Sequence, residues 1–200
     1  KTTLAKLIAG LEKPTSGKIY LNDEDITDCD ITQRAKKGIA YAFQQPVRFK
    51  GITIQELLEL AAGKELSYTE LCDLLGKVGL CAREYINREL DSGLSGGEMK
   101  RVEIASVLAR NAKVTIFDEP EAGIDLWSFT KLVETFQELR NQQNGLLLII
   151  SHQERILEIA DEIVVIAKGK IRTVGSKDEV LPQLLSGEIS KKCPRGKENQ

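Results

Sequence analysis

Apolar residues recur with the spacing of amphipathic helices in the first half of the chain. The earliest such pattern begins at the first residues and ends near Gly10, and its apolar face holds Leu4, Leu7, Ile8 and Leu11. Two more helices are expected at 53–62 and 67–78, with apolar stripes formed by Ile54, Leu57, Leu58 and Ala61, and by Leu71, Leu74, Leu75 and Val78. Stripes of this kind predict core packing and imply no cofactor.

Short apolar runs bounded by turn residues predict strands. The runs cover 18–22, 38–43, 114–117 and 146–150, with a hairpin of 163–167 and 170–174 across Lys168-Gly169. A polar turn is expected at 23–25, a short helix at 31–37, a helix from Ser95 and a long helix at 126–142. The continuously apolar run at 146–150 is typical of a strand buried in a parallel sheet.

Ser95 and Glu98 open one of these helices with the S-x-x-E spacing of a capping box. Gly96 and Gly97 lie between them and allow another group to approach the backbone closely. The bare N–H groups and the positive dipole end of a helix start form a natural anion site. Taken alone, these four residues indicate an ordinary capped helix.

Asp118 and Glu119 follow directly on the apolar run at 114–117. Ligands of parallel α/β sheets bind beyond the carboxyl ends of the strands. An aspartate at that place can hold Mg²⁺ directly or through water, and a neighbouring glutamate can orient or deprotonate an attacking water. The alternative is a solvated turn in which Pro120 stops the strand. We favour the metal and water roles because other parts of a phosphate site recur along the chain.

Composition narrows the class of protein without identifying it. Two hundred residues, of which 42% are hydrophobic, suffice for one compact domain with a core. The net charge of -2 gives no electrostatic footprint for nucleic acid, so no nucleic-acid partner is expected. No run approaches the roughly 18 apolar residues of a membrane span, and no signal peptide is visible. The four cysteines form no C-x-x-C pair and fit reduced thiols of a cytoplasmic protein.

The sequence LSGGEMKR, followed by a strand that ends in Asp-Glu-Pro, resembles the signature motif and the Walker B motif of ABC-type ATPases. The resemblance implies an α/β fold with a P-loop NTPase (RecA-like) core and a helical subdomain that carries the signature. It divides a single ABC ATPase domain into core segments 1–49 and 109–189, a helical subdomain 50–108 and a polar tail 190–200. The β-subdomain at the amino end is expected to be incomplete.

The first residues, Lys1, Thr2 and Thr3, are similar to the end of a Walker A motif and are assigned to nucleotide binding. In the family the lysine reaches the β- and γ-phosphates of ATP, and the first hydroxyl ligates Mg²⁺. A glycine-rich phosphate loop is therefore expected upstream of Lys1, and the chain as written holds half of a phosphate site. We expect either a truncated sequence or a naturally incomplete product.

Three further positions match ABC motifs in family order. Gln44 stands at the Q-loop, which touches Mg²⁺ and senses the γ-phosphate, and Gln45 fits that register less well. Asp125 lies in a segment that resembles the D-loop of the dimer interface. His152, the only histidine, follows the strand at 146–150, where the family keeps a catalytic switch histidine. A loop or capping amide is the alternative for Gln44, and a structural histidine is the alternative for His152.

The resemblance also implies a composite active site. Two copies of the chain would face each other head to tail, so that the signature residues 95–98 of one copy close on ATP held by the other. Glu119 would position the attacking water, while Mg²⁺ held by Thr2, Gln44 and Asp118 neutralises charge. The expected reaction converts ATP and water to ADP and phosphate and is coupled to opening and closing of the dimer.

Several segments are more similar to the soluble ATPase of the Suf iron–sulfur cluster assembly machinery than to transporter subunits. These segments are AFQQPVRFKGIT, LSGGEMKRVEI and His152–Leu157. Transporters usually carry glutamines where this signature has charged residues. The chain departs from the Suf pattern at Glu121-Ala122, where Asp-Ser is usual, and in a short helical subdomain. The expected partners are soluble scaffold proteins of cluster assembly.

Two other functions stay open at this point. One is the ATP-binding subunit of a membrane transporter, which predicts a groove near 45–60 that receives a helix from a permease. The other is a nucleotide-gated scaffold without hydrolysis, because the phosphate loop is missing from the chain as written. Membrane co-fractionation would indicate the first function. Magnesium-dependent turnover that Glu119→Gln abolishes would exclude the second.

Overall fold

The computed structural model describes residues 1–45, 49–90, 93–141 and 145–187. They fall into two compact units, Thr2–Ser151 and a second unit of Lys1 with the residues from His152 onward. The predicted polar tail 190–200 lies outside the described residues. In the part of the chain that is described, no helix combines the length and the apolar character needed to cross a membrane.

The first unit is built around a parallel sheet. Its helices are α1 (Thr2–Ala9), α2 (Ile31–Lys36), α3 (Ile54–Ala62), α4 (Tyr68–Lys77), α5 (Ala82–Tyr85), α6 (Gly96–Ala109) and α7 (Leu126–Asn141). Its strands are β1 (Tyr20–Leu21), β2 (Glu24–Asp25), β3 (Ile39–Ala42), β4 (Val114–Asp118) and β5 (Leu146–Ile150). Strands β3, β4 and β5 pair in parallel in that order, so their carboxyl ends meet at one edge.

Strand β4, at the centre of the sheet, is covered on both faces. Ile116 and Phe117 are adjacent on β4 and fully buried, and successive side chains of a strand point to opposite faces. Ile116 belongs to the cluster that contains Ala5 and Ala9 of α1. The Phe117 ring meets Phe136 of α7, with centroids 5.0 Å apart. Helix α1 therefore packs against one face of β4, and α7 packs against the other.

The predicted apolar face of α1 was partly wrong. Leu4 is 43% exposed, whereas Ala5 and Ala9 are almost completely buried. Small side chains let the helix backbone lie close to the sheet. This close packing, more than burial of the larger Leu4 side chain, determines which face of α1 turns toward the sheet. A pattern read for bulky apolar residues alone misses a contact face made of alanine.

Capping boxes fix the starts of α3, α4 and α6. Thr53 with Glu56 begins α3, Ser67 with Glu70 begins α4, and Ser95 with Glu98 begins α6. In each box, each side chain accepts a hydrogen bond from the backbone N–H of the other residue. Two N–H groups that have no partner within the helix are thereby satisfied. The buried residues of α3 and α4 are Ile54, Leu58, Leu71 and Leu75, all on the predicted stripes.

The second unit contains α8 (Glu154–Leu157), β6 (Glu162–Ala167), β7 (Lys170–Ser176) and α9 (Lys177–Leu185). Strands β6 and β7 pair antiparallel across Lys168-Gly169, which confirms the predicted hairpin. Helix α9 buries Val180. The sequence did not predict α9, because Pro182 inside it is usually a helix breaker, nor the single-turn helices α5 and α8.

The turn predicted at 23–25 was also wrong in its position. Strand β1 is shorter than expected and pairs with Glu24–Asp25 of β2. The chain reverses at Asn22 and Asp23, whose φ angles are 48° and 65°. Asparagine and aspartate tolerate this left-handed conformation better than other non-glycine residues, and a two-residue turn of this kind suits a hairpin.

Candidate active site

Asp118 ends β4, and its carboxylate is fully buried. Its Oδ1 accepts a hydrogen bond from the Thr2 hydroxyl at 3.2 Å, and its Oδ2 accepts one from the Tyr41 hydroxyl at 2.9 Å. Burying a carboxylate costs free energy unless hydrogen bonds compensate, and these two hydroxyls supply them. The contact with Thr2 joins the first residue of α1 to the end of β4.

Tyr41 is a site residue that the sequence did not single out. It lies on β3, and its ring packs edge-to-face on Phe43 with centroids 5.0 Å apart. Burial, and then the hydrogen bond to Asp118, raises the pKa of the Tyr41 hydroxyl. The hydroxyl therefore stays protonated at neutral pH and acts as a donor to Asp118. Only the pairing of β3 with β4 reveals this contact.

The oxygen atoms around Asp118 fit Mg²⁺. This ion takes oxygen ligands and keeps several waters, so one or two protein oxygens together with substrate phosphates complete its shell. The Thr2 hydroxyl and the Asp118 carboxylate already lie within hydrogen-bond distance of each other. Among the residues that the structure describes, no group of three or more His, Cys, Asp or Glu side chains could hold a metal ion. A shell completed by phosphate oxygens needs no such group.

Glu119 follows Asp118 in a strained conformation. Its φ angle is 49°, in the left-handed region that costs a non-glycine residue about 1–2 kcal/mol. The Glu119 N–H donates to the Ile150 carbonyl at 2.9 Å, and Glu119 Oε2 accepts a hydrogen bond from Gln44 Nε2 at 2.9 Å. Strained residues persist where surrounding contacts hold them, and they cluster at active sites. The predicted pair Gln44 and Glu119 is brought together by the structure.

The signature segment, residues 95–98, begins α6, and the side chains of Ser95 and Glu98 form hydrogen bonds there. The Ser95 hydroxyl accepts the Glu98 N–H at 3.2 Å, and Glu98 Oε2 accepts the Ser95 N–H at 2.7 Å. Glu98 Oε1 accepts the Tyr85 hydroxyl and lies 3.5 Å from Arg88 Nη1. The Tyr85 hydrogen bond, with those from Ser95, lowers the pKa of Glu98 to about 2. The charged form of Glu98 is therefore the one that orders this helix start.

The signature segment touches the segment that follows β4. A methyl group on Gly97 would lie 2.9 Å from the Gly123 carbonyl oxygen, so only glycine allows this approach. Arg101, one turn beyond Gly97, donates to Ser128 Oγ at 3.0 Å. Ser128 in turn donates to Asp125, which caps the start of α7. Two regions that are distant in sequence are thus held as one surface.

A family model described as ABC transporter matches residues 1–122. The chain belongs to this family. The uncharacterized ABC transporter ATP-binding protein MJ0035 of Methanocaldococcus jannaschii is 37% identical over 207 residues, covering 98% of this chain and 82% of that protein. The sulfate/thiosulfate import ATP-binding protein CysA of Mesorhizobium japonicum is 31% identical over 195 residues. This match covers 90% of the chain and 53% of that relative, so the chain spans about half of its length.

Solved ABC cassettes have the same fold. An ATP binding subunit of an ABC transporter superposes with a TM-score of 0.79 at 25% identity, covering 98% of this chain and 83% of that chain. The dimeric post-hydrolysis structure of the ATP-binding cassette MJ0796, bound to ADP and Pi, gives 0.77 at 24% identity, with 88% and 80% covered. The predicted P-loop NTPase core of the ABC type is confirmed. ABC ATPases bind ATP with Mg²⁺ and hydrolyse it.

The structure brings only part of the predicted ABC site together. Thr2, Gln44, Asp118 and Glu119 form one group of contacts. Thr3 is exposed in the first turn of α1, and Gly96 is the first residue of α6. Lys1 and His152 belong to the second compact unit, so their contacts with the phosphates stay predictions. The dimer-interface role of Asp125 also stays a prediction, because the described contacts show it as a helix cap.

Replacing Glu98 with glutamine is expected to remove part of the acid sensitivity of the fold. The folded pKa of about 2 lies below the ordinary value of 4.5, so this carboxylate stabilises the fold above about pH 4.5. That contribution is lost as the pH falls toward 2. The difference in unfolding free energy between wild type and Glu98→Gln, measured with urea, should therefore shrink from pH 7 to pH 3. A difference that stays constant would contradict the role of the charge.

Replacing Gly97 with alanine is expected to lower ATP turnover by about 10- to 100-fold, because small displacements of positioning groups have effects of this size. The new methyl group would lie 2.9 Å from the backbone oxygen of Gly123, so one of the two segments must shift. The matched control is Gly76→Ala in α4, where nothing lies within 4 Å of the added group. Equal turnover in both variants, measured as phosphate release, would show that the close approach is unimportant.

Proposed function

We propose that this chain hydrolyses ATP in the cytoplasm and powers conformational change in a partner complex that assembles iron–sulfur clusters. The observation that carries the catalytic part is the pair of carboxylates at the end of β4. Asp118 is held by the hydroxyls of Thr2 and Tyr41, whereas Glu119 is held by the Gln44 amide. Two adjacent carboxylates with different partners fit two different roles.

Each residue has its own task in the proposed reaction. When bound, Mg²⁺ supplies charge neutralisation at the transferring phosphoryl group. Thr2 and Asp118 would hold this ion, since their oxygen atoms are already adjacent. Glu119 would orient the attacking water and accept its proton. Lys1 and His152 would contact the β- and γ-phosphates, as their positions in the ABC motifs imply.

The proposal includes a head-to-tail dimer of two copies of the chain. The start of α6 offers backbone N–H groups and a positive dipole end, which suit the γ-phosphate of ATP held by the other copy. The contact between Gly97 and the Gly123 carbonyl would present the signature segment and the D-loop as one surface to that copy. The cassette MJ0796, whose fold this chain shares, has been solved as a dimer.

An apolar groove between α3 and α6 supports the docking of a partner. Its volume is about 310 Å³, and its lining includes Tyr41, Phe43, Phe49, Leu57, Leu60, Met99, Val102 and Val107. Leu60 on α3 is 74% exposed at this groove. An exposed leucine beside an apolar groove fits the insertion of a helix from another protein. Phe43 lines the groove and directly precedes Gln44, whose side-chain amide donates to Glu119. The groove is therefore linked to the candidate active site.

Two charged signature residues support a cluster-assembly partner. The Suf-like sequence has Glu98 and Lys100 where transporter subunits usually carry glutamines. Both charges have specific contacts here, since Glu98 accepts from Tyr85 and lies near Arg88, and Lys100 is almost completely buried. Glutamines at these positions would not provide the same charged contacts.

The second candidate is the ATP-binding subunit of a membrane transporter. Curated relatives favour it, since they include the sulfate/thiosulfate import protein CysA and the lipopolysaccharide export protein LptB of Haemophilus influenzae. LptB is 32% identical over 187 residues, covering 90% of this chain and 76% of that protein. Under this alternative, the groove between α3 and α6 receives a helix from a permease.

A pull-down with Glu119→Gln, which traps the ATP-bound state, would separate the two candidates. The bait is the protein in its natural length, and the extract is prepared from its own cells with detergent. Recovery of soluble scaffold proteins that carry iron and sulfide supports cluster assembly. Recovery of a polytopic permease overturns that proposal in favour of transport and leaves the assignments of Asp118 and Glu119 unchanged.

The groove has its own pair of variants in the same pull-down. Leu60→Glu places a charge in the apolar groove and should abolish capture of the partner. Leu185→Glu alters another exposed leucine, which lies in α9 of the second unit, and should leave capture unchanged. If both variants capture the partner equally, the groove is not its docking site.

A further inference from the structure

A buried lysine on α6 is bonded to the backbone that leads into Gln44. Lys100 is only 1% exposed. Its Nζ donates to the carbonyl oxygen of Phe43 and, at 3.4 Å, to that of Gln44. It also forms an ion pair with Glu103 at 3.1 Å. An ammonium group has three donors, and here it has three acceptors.

Glu103 supplies the complementary contact from the same helix. Its Oε1 accepts the Phe43 N–H at 2.8 Å, while its Oε2 faces Lys100. Phe43 thus has both its backbone donor and its backbone acceptor bonded to side chains of α6. Burial raises the pKa of Glu103, and the nearby Lys100 charge opposes that rise.

These contacts lie just beyond the end of β3, where the sheet no longer provides backbone hydrogen bonds. The pairing of β3 with β4 ends at Ala42 and Phe117. Phe43 and Gln44 continue beyond that ladder, and their backbone groups need other partners. Side chains of α6 provide them for both backbone groups of Phe43 and for the carbonyl of Gln44. The position of Gln44 therefore depends on the signature helix as well as on β3.

We propose that Lys100 and Glu103 are positioning residues for ATP hydrolysis, which fix the backbone of Phe43 and Gln44 and so keep the Gln44 amide on Glu119. The inference rests on the proposed catalytic role of Glu119. Two apolar residues of similar volume would fill the same space at a lower desolvation cost. A charged pair that bonds the backbone of a single loop residue on both sides is better suited to orientation than to core packing.

The test is a double-mutant cycle on ATP turnover by the natural-length protein. Lys100→Met should lower kcat by about 10-fold or more and change KM for ATP by less than about 3-fold, since substrate contacts are untouched. In a Gln44→Ala background, the same substitution should lower kcat by less than about 2-fold, because the residue through which Lys100 acts is gone. Lys64→Met, which removes a lysine from the exposed ion pair with Glu70, is the control and should not alter kcat.

Two outcomes of the cycle would overturn the inference, and Glu119→Gln separately tests the proposed function on which it rests. The same loss of kcat from Lys100→Met in both backgrounds would overturn the inference, since Lys100 would then act independently of Gln44. Unchanged kcat in Lys100→Met would overturn it as well. If Glu119→Gln keeps full turnover, the proposed function fails first, and the inference falls with it.

A second set of variants avoids leaving a buried charge alone, which could unfold the protein. Lys100→Gln combined with Glu103→Gln keeps a donor for the Phe43 carbonyl and an acceptor for the Phe43 N–H. We expect this double variant to recover kcat to within about 3-fold of wild type, whereas Lys100→Gln alone stays about 10-fold lower. A double variant no faster than the single variant would contradict a positioning role.

Discussion

Replacing Glu119 with glutamine should reduce magnesium-dependent ATP turnover by about 100- to 10,000-fold, the usual contribution of a general base. Glutamine has nearly the same shape and can still accept the hydrogen bond from Gln44, so the loss reports the missing negative charge. Binding of ATP should change little, because the phosphate contacts are proposed for other residues. Phosphate release at saturating ATP, with the natural-length protein, measures the effect.

A matched glutamate separates this effect from a general response to charge removal. Glu134→Gln alters an exposed carboxylate on α7 that forms an ion pair with Lys131 at 3.2 Å. Turnover should stay at the wild-type value, since exposed ion pairs contribute at most about 1 kcal/mol to stability. Turnover in Glu119→Gln that matches Glu134→Gln would refute the catalytic assignment and would favour a scaffold that binds nucleotide without hydrolysis.

Replacing Arg34 with methionine should lower the free energy of unfolding by about 3–5 kcal/mol, because a buried carbonyl left without a donor costs about 1–3 kcal/mol. Arg34 is 1% exposed, and its guanidinium donates to the carbonyl oxygens of Leu7, Ile8, Thr27 and Cys29 at 2.5–3.0 Å. The first two belong to the last turn of α1, where helix geometry leaves carbonyls without intrahelical donors, and the Leu7 oxygen also accepts the Gly10 N–H at 3.3 Å. Methionine fills much of the volume and provides no donor.

Urea unfolding measures this loss of stability, and two further variants serve as controls. Arg34→Lys keeps the charge without the planar set of donors, so its stability should lie between wild type and Arg34→Met. Arg83→Met changes an exposed arginine on α5 and should stay within about 0.5 kcal/mol of wild type. Equal midpoints for Arg34→Met and Arg83→Met would show that other groups satisfy these carbonyls.

Local signals in the sequence were sufficient for α3, α4 and α6. Ser95 and Glu98 are three residues apart, and the pair forms the predicted capping box within one turn. Such contacts depend on little beyond the segment itself, so spacing alone predicts them. The strands that carry Asp118 and Ile150 were predicted for a similar reason, because an uninterrupted apolar run has few alternatives.

Local sequence patterns did not predict the contacts that organise the candidate site. Thr2 and Asp118 are 116 residues apart in sequence, and Tyr41 and Asp118 are 77 apart. Family resemblance pointed to Thr2, yet neither spacing nor resemblance indicated Tyr41. Its role follows from the parallel pairing of β3 with β4, which brings the two carboxyl ends together. Long-range contacts of this kind exist only once the sheet has formed.

The same limit applies to charged residues that the fold buries. Arg34 and Lys100 are charged side chains on helices, a class of residue that is rarely fully buried, yet both are 1% exposed. Each donates to carbonyl oxygens of other segments, and the sequence gives no sign that those carbonyls will lie beside it. The structure was needed to show that these two cations connect helices to the loops around them.

Under the proposed catalytic role of Glu119, its left-handed backbone makes stability and activity favour different residues at this position. Glycine or asparagine would adopt its φ of 49° with less strain, and relief of that strain is worth about 1 kcal/mol. Selection for thermal tolerance alone would therefore favour variants that have lost the carboxylate. Directed evolution for heat resistance should therefore select for ATP turnover at the same time. Selection for stability alone is expected to yield variants that fold but do not hydrolyse ATP.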